Sequence, residues 1–176
     1  MEWFVRAFVK ASLSWLALGV TLGVAMAAHP AWTVYRPAHV HMVLLGFVTM
    51  MIYGVAYHVI PRFAGAALHS RRAAAWHWWA SNAGLALMVI GFVVRARGAA
   101  VGTPVLAFGG SLSALGAYTF AYVLWRTMDA SAAARRTAAD NPPGVPLALA
   151  RTGAAPRAPA NRPAPRSPTG VVPPNG

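Results

Sequence analysis

Between Pro37 and Pro61 the chain runs for 23 residues without an aspartate, glutamate, lysine or arginine, yet it carries three histidines, His39, His41 and His58. As a helix rising about 1.5 Å per residue, such a stretch is roughly 35 Å long and can cross the hydrocarbon core of a bilayer. It therefore reads as a membrane helix. A ring nitrogen inside hydrocarbon needs a partner, so an intramembrane imidazole marks a candidate functional site, and a bound metal or haem is a common way to satisfy it.

Four apolar segments share this character, at about residues 3–28, 38–60, 73–94 and 105–125. Each exceeds the 18 or so residues that mark a spanning helix. Pro30, Pro37, Pro61 and Pro104 fall at or beside their ends, where proline costs little. The link from His29 to Pro37 is short, so the first two helices are expected to be antiparallel neighbours. The expected fold is an all-α integral membrane protein, a four-transmembrane-helix bundle over residues 1–128.

Charge agrees with that class. Only Glu2, Asp129 and Asp140 are acidic, against 15 basic residues. The resulting +12 does not point to nucleic acid, because the arginines sit in short caps between apolar runs or in the tail and form no basic amphipathic face. The expected counter-ions are anionic lipid headgroups of the bilayer. With no cysteine there is no disulfide, no thiolate metal site and no c-type haem attachment, so iron or copper could be held only by histidine or methionine.

Counting lysine and arginine orients the chain. Arg6, Lys10, Arg62, Arg71, Arg72, Arg126 and the tail fall on one side, and Arg36, Arg95 and Arg97 on the other. The richer side belongs in the cytoplasm, which puts both termini inside, His39 and His41 near the outer surface, and His58 and His77 near the inner one. Arg6 and Lys10 before a run ending Ala25-Met26-Ala27 also fit a cleavable signal peptide, whose loss would leave three helices. Trp3, Phe4 and Phe8 in the basic region, and the lack of polar character near the cleavage point, weigh toward a retained helix. From Asp129 onward 48 residues hold 10 of the 14 prolines, six arginines and no aromatic residue, the composition of a disordered cytoplasmic tail over 129–176.

At 100° per residue, the face centred on His39 gathers Val43, Gly46, Met50, Tyr53 and Tyr57, while Leu45, Val48, Ile52, Val55 and Val59 fall opposite with His41. The first face is small, aromatic and sulfur-bearing, as a bundle interior or bound group requires; the second suits lipid. His39 is the candidate axial ligand, and His41, about 200° away, is expected to anchor at headgroup level. Gly46 and Met50 are candidate packing positions for a flat macrocycle, although glycine in a membrane helix also serves helix contact. On the third helix His77, Ser81, Gly84, Met88 and Gly91 form a packing stripe, with Ser81 and Asn82 available to bond across helices. His58 and His77 share the cytoplasmic end and make a speculative second metal site, with an interfacial polar pair as the alternative. The fourth helix offers Gly109, Gly110, Ser111, Ser113 and Gly116 for close packing. No helix interior holds an acidic residue, which speaks against a transporter or channel.

Arg36-Pro37-Ala38-His39, followed by Tyr57, His58 and Arg62, resembles the second transmembrane helix of subunit I in cbb-type haem-copper oxidases and, more loosely, of the nitric oxide reductase large subunit. Trp76-His77-Trp78-Trp79, Asn82-Ala83-Gly84, Gly91-Phe92 and Tyr122-Val123-Leu124-Trp125-Arg126 are similar to the next two helices, so the resemblance covers about residues 5–128. It implies that His39 is an axial ligand of a low-spin haem b near the outer surface. The family's remaining haem and binuclear-centre ligands come from later helices, which this chain of four does not supply, so a terminal oxidase acting alone is not expected, nor is copper. Two readings follow. In one, the chain is a small haem b protein with an electron-transfer, haem-handling or diatomic-gas role, working as a homo-oligomer or beside a respiratory complex in a bacterial-type inner membrane. In the other, it is a cofactor-free membrane scaffold or assembly factor. The first is favoured because a histidine on a small-residue membrane face is expensive to keep without a ligand.

Overall fold

The computed structural model describes residues 2–140, of which 2–136 form one compact unit. Among the described residues the chain is all-helical, with four helices long and apolar enough to cross a membrane: α1 (Trp3–Ala28), α2 (Pro30–Ala64), α3 (Arg71–Ala96) and α4 (Gly102–Asp140). Local chemistry sets their ends. His29 precedes Pro30 and is driven to an extended conformation (φ −128°, ψ 92°), which separates α1 from α2. Ser70 caps α3 by accepting from the Ala73 amide at 3.2 Å, so this helix starts two residues before Ala73.

α2 is not uniform. It opens with a tight 3-10 stretch (Pro30–Tyr35), becomes α-helical over Arg36–His41, widens into a π-helix over Met42–Thr49 and returns to α over Met50–Ala64. Thr49 Oγ1 donates to the Leu44 carbonyl five residues back, at 2.8 Å, within the wide turn. The helix passes through Pro61 and stops at Gly65, whose positive φ of 65° lets its own amide and that of Ala66 fold back onto the Arg62 and Pro61 carbonyls. Proline therefore sits in the last turn, and the left-handed glycine makes the stop.

Two expectations are corrected here. Leu45, placed on the lipid face by a constant 100° step, packs against the core, because each π turn holds one residue more than an α turn and shifts the face. Residues 129–140 continue α4 rather than belonging to a disordered tail; they are rich in alanine, the strongest helix former, and Ser131 and Arg135 bond along the helix. Residues 141–176, the rest of the expected tail, lie outside the described residues.

The core draws on all four helices, with Val123 and Leu124 of α4 among its buried residues. Phe4, Val5, Phe8, Met50, Tyr57, Ala74 and Leu85 are buried there, while Leu13, Leu18 and Val24 of α1 and Val48, Ile52 and Val55 of α2 face outward, as lipid-facing residues would. Trp15 Nε1 donates to Asn82 Oδ1 at 3.3 Å, and Asn82 Nδ2 donates to the Trp78 carbonyl at 2.9 Å. Trp15→Phe keeps most of the ring and removes one bond between α1 and α3. It is expected to cost about 0.6 kcal/mol, read as a small shift in the SDS-induced unfolding midpoint.

Candidate functional site

His39 stands two residues after Pro37, in the first α-helical turn of α2. Its Nδ1 lies 2.8 Å from the carbonyl oxygen of Gly19 on α1. A carbonyl only accepts, so Nδ1 carries the proton and Nε2 holds the lone pair. The ring is half-buried and lies over Gly23, where a Cβ would come within 2.9 Å of its Cε1. α1 thus contributes a carbonyl that sets the tautomer and a glycine that makes room for the ring. His41 is anchored differently: its Nδ1 donates to the Pro37 carbonyl of its own helix at 2.8 Å, and its ring centre lies 4.8 Å from that of Phe92 on α3. The two rings turn to different helices, as their 200° separation requires.

Of the two ring nitrogens, Nε2 is the one that could hold a metal such as a haem iron. A backbone carbonyl bonded to the opposite ring nitrogen is the usual arrangement behind a metal-bound imidazole. Gly46 and Met50 do not form a bed for a macrocycle. A Cβ at Gly46 would lie 2.5 Å from Trp15 Cβ and 2.7 Å from Cγ, so the missing side chain is used by the α1–α2 contact. Met50 is 1% exposed and belongs to the core.

At the other end of the bundle His77 is fully enclosed, 0% exposed. Its Nδ1 is 3.0 Å from Tyr57 Oη. The rings of Tyr53, Phe8 and Phe120 surround it at centre distances of 4.4, 4.9 and 5.7 Å. Among the described residues Nε2 has no hydrogen-bond partner. His58, the other half of the speculative metal pair, lines a separate cleft with Glu2, Arg62 and Arg71, where Arg71 and Glu2 form an ion pair at 2.9 Å. Among the described residues no hydrogen bond or ring contact joins His58 to His77, and no three metal-ligating side chains converge. The partner of His77 is a tyrosine. Both residues stood at the same end of neighbouring antiparallel helices, so the pair could have been anticipated from the sequence by asking for any hydrogen-bonding partner, not only a second metal ligand.

The stripe expected on α3 is its buried face: His77, Ser81, Gly84, Met88 and Gly91 are all enclosed. Asn82 makes the cross-helix bond expected of it; Ser81 does not, its Oγ being buried without a partner among the described residues, as is Ser113 Oγ on α4.

No family model matches this sequence, and no curated protein matches it.

Proposed function

We propose that this chain is a small haem b-binding membrane protein in which His39 supplies one axial ligand. The reading rests on one observation above all: the hydrogen bond to Gly19 leaves Nε2 of a half-buried membrane histidine with a free lone pair. Gly23 gives the ring space, and the Gly19 carbonyl holds its plane. A haem held there supplies one-electron iron chemistry or a site for a diatomic gas, and the protein tunes it through the ligand and burial. His41, tied to Pro37 and in tilted ring contact with Phe92, serves as an anchor. Any further ligand to the iron would come from another chain, a second copy, another local side chain or no protein group at all. The proposal therefore includes an oligomer or a respiratory-complex neighbour, in an inner membrane with both termini cytoplasmic.

The test is spectroscopic. Purified in detergent after expression with ample haem, the full chain is expected to show a Soret band; His39→Ala should abolish it and His41→Ala should leave most of it. The haem-to-protein ratio, measured with the particle mass, then gives the number of chains per haem. A second reading has its own support in the same bond, because a histidine already satisfied by Gly19 ties α1 to α2 without any cofactor, as a scaffold would need. Absence of a Soret band together with a lowered unfolding midpoint for His39→Ala would decide for the scaffold.

A further inference from the structure

We propose that the cleft between the end of α2 and the start of α3 binds one anionic phospholipid by its phosphate. This inference is independent of His39 and haem. The cleft has a volume of about 230 Å³. At roughly 30 Å³ for a water in the liquid, that is space for about seven waters, which accommodates a phosphate and part of the glycerol esterified to it. Three helices bring their ends here. His58 and Arg62 come from the last turns of α2, Arg71 is the first residue of α3, and Glu2 stands at the start of α1. Val5 and Leu68 add apolar wall, so basic and hydrocarbon surfaces meet in one chamber.

Charge sets the sign of the ligand. Arg71 Nη2 donates to Glu2 Oε1 at 2.9 Å, the one ion pair among the described residues, which leaves Arg62 without an acidic partner there. A guanidinium has five N–H donors, so the contact with Glu2 does not exhaust Arg71. Two guanidiniums against one carboxylate leave the cleft positive, and a singly charged phosphate diester neutralises it. The planar fork of arginine matches two phosphate oxygens at once. Because Glu2 is already held by Arg71, no carboxylate in the cleft remains for the ammonium of a zwitterionic headgroup. The cleft therefore suits a lipid whose only charge is its phosphate, such as phosphatidylglycerol.

The face of α2 below the cleft favours a lipid over a phosphate taken from water. Met51, Val55, His58 and Arg62 follow one another at spacings of four, three and four in the regular part of this helix, so they share a stripe. His58 and Arg62 line the cleft, while Met51 and Val55 line a shallow apolar groove with Ile52 and Val59. Ile52 and Val55 are about half exposed, at 54% and 48%. From Arg62 to Met51 the stripe descends roughly 16 Å from the end of an apolar span toward its middle. A phospholipid with its phosphate at Arg62 lays an acyl chain along this groove. Free phosphate gains nothing from it.

The test uses the full chain, delipidated in detergent and titrated under native mass spectrometry with phosphatidylglycerol, phosphatidylethanolamine and sn-glycerol 3-phosphate, a phosphate without acyl chains. One phosphatidylglycerol per chain is expected to bind at least tenfold tighter than phosphatidylethanolamine and than glycerol 3-phosphate. Arg62→Gln/Arg71→Gln should erase the preference for phosphatidylglycerol; both side chains are exposed, so the core is untouched. Arg95→Gln/Arg97→Gln removes the same charge from the opposite end of α3 and should keep it. The proposal is overturned if the two lipids bind alike, if glycerol 3-phosphate binds as tightly as phosphatidylglycerol, as for a site that takes phosphate from water, or if both double variants lose the preference equally, as for adsorption to net charge alone.

Discussion

Gly84→Leu is expected to force α4 away from α3 and to destabilise the chain by about 3 kcal/mol or more, at the upper end of overpacking effects. A Cβ at position 84 would lie 2.5 Å from Ser113 Oγ, 2.7 Å from Ser113 N and 2.8 Å from the Gly109 carbonyl oxygen. Two of these three atoms are backbone, so rotating a side chain cannot relieve the clash. Gly109 is engaged reciprocally, its own Cβ position lying 2.7 Å from the Gly84 carbonyl and from the Met88 amide nitrogen. In lipid, helices associate through such close contact, because hydrocarbon tails are as apolar as leucine and provide little drive toward burial. The control is the neighbouring residue. Gly110→Ala meets open space and removes a poor helix former, so it should be neutral or stabilising by up to about 1 kcal/mol. SDS-induced unfolding in mixed micelles, followed by far-ultraviolet circular dichroism, measures both. Equal midpoints for Gly84→Leu and Gly110→Ala would show that the α3–α4 contact does not hold the bundle together.

The spans were legible because crossing hydrocarbon imposes a length and an apolar content that can be read residue by residue. Their ends were less so, since Ser70 and the left-handed Gly65 decide them through single hydrogen bonds and one dihedral angle, which composition does not register. The α3 stripe was visible because that helix is regular and its small residues recur at spacings of three and four. On α2 the same method placed Leu45 wrongly, because the wheel assumes a constant step and the helix widens over Met42–Thr49. Among the candidate site residues, His39 could be named from its place on the helix. The carbonyl that fixes its tautomer could not, since Gly19 belongs to another helix and contributes only backbone. The enclosure of His77 depends on Phe8 and Phe120, which come from α1 and α4 and meet it only when the bundle closes.

His77→Ala is the second substitution with a large expected effect, about 3 kcal/mol of destabilisation or more for deletion of a fully buried ring. The loss has two parts. A cavity opens among Phe8, Tyr53, Tyr57 and Phe120, and the Tyr57 hydroxyl is left without its partner. His77→Phe separates them, because it restores the ring while still removing the bond to Tyr57. Hydrogen bonds between membrane helices average about 0.6 kcal/mol, and phenylalanine also eliminates the unpartnered Nε2, so this variant should remain within about 1 kcal/mol of the parent. Tyr57→Phe leaves both nitrogens of the enclosed imidazole unpaired and should cost more than the bond alone, on the order of 1–3 kcal/mol. In the double variant that penalty disappears, since neither polar group remains. Tyr57→Phe/His77→Phe is therefore expected to be more stable than Tyr57→Phe by itself, and unfolding midpoints of the four proteins give the coupling directly. If the double variant is instead the least stable of the set, aromatic packing and not the Tyr57–His77 bond governs this end of the bundle.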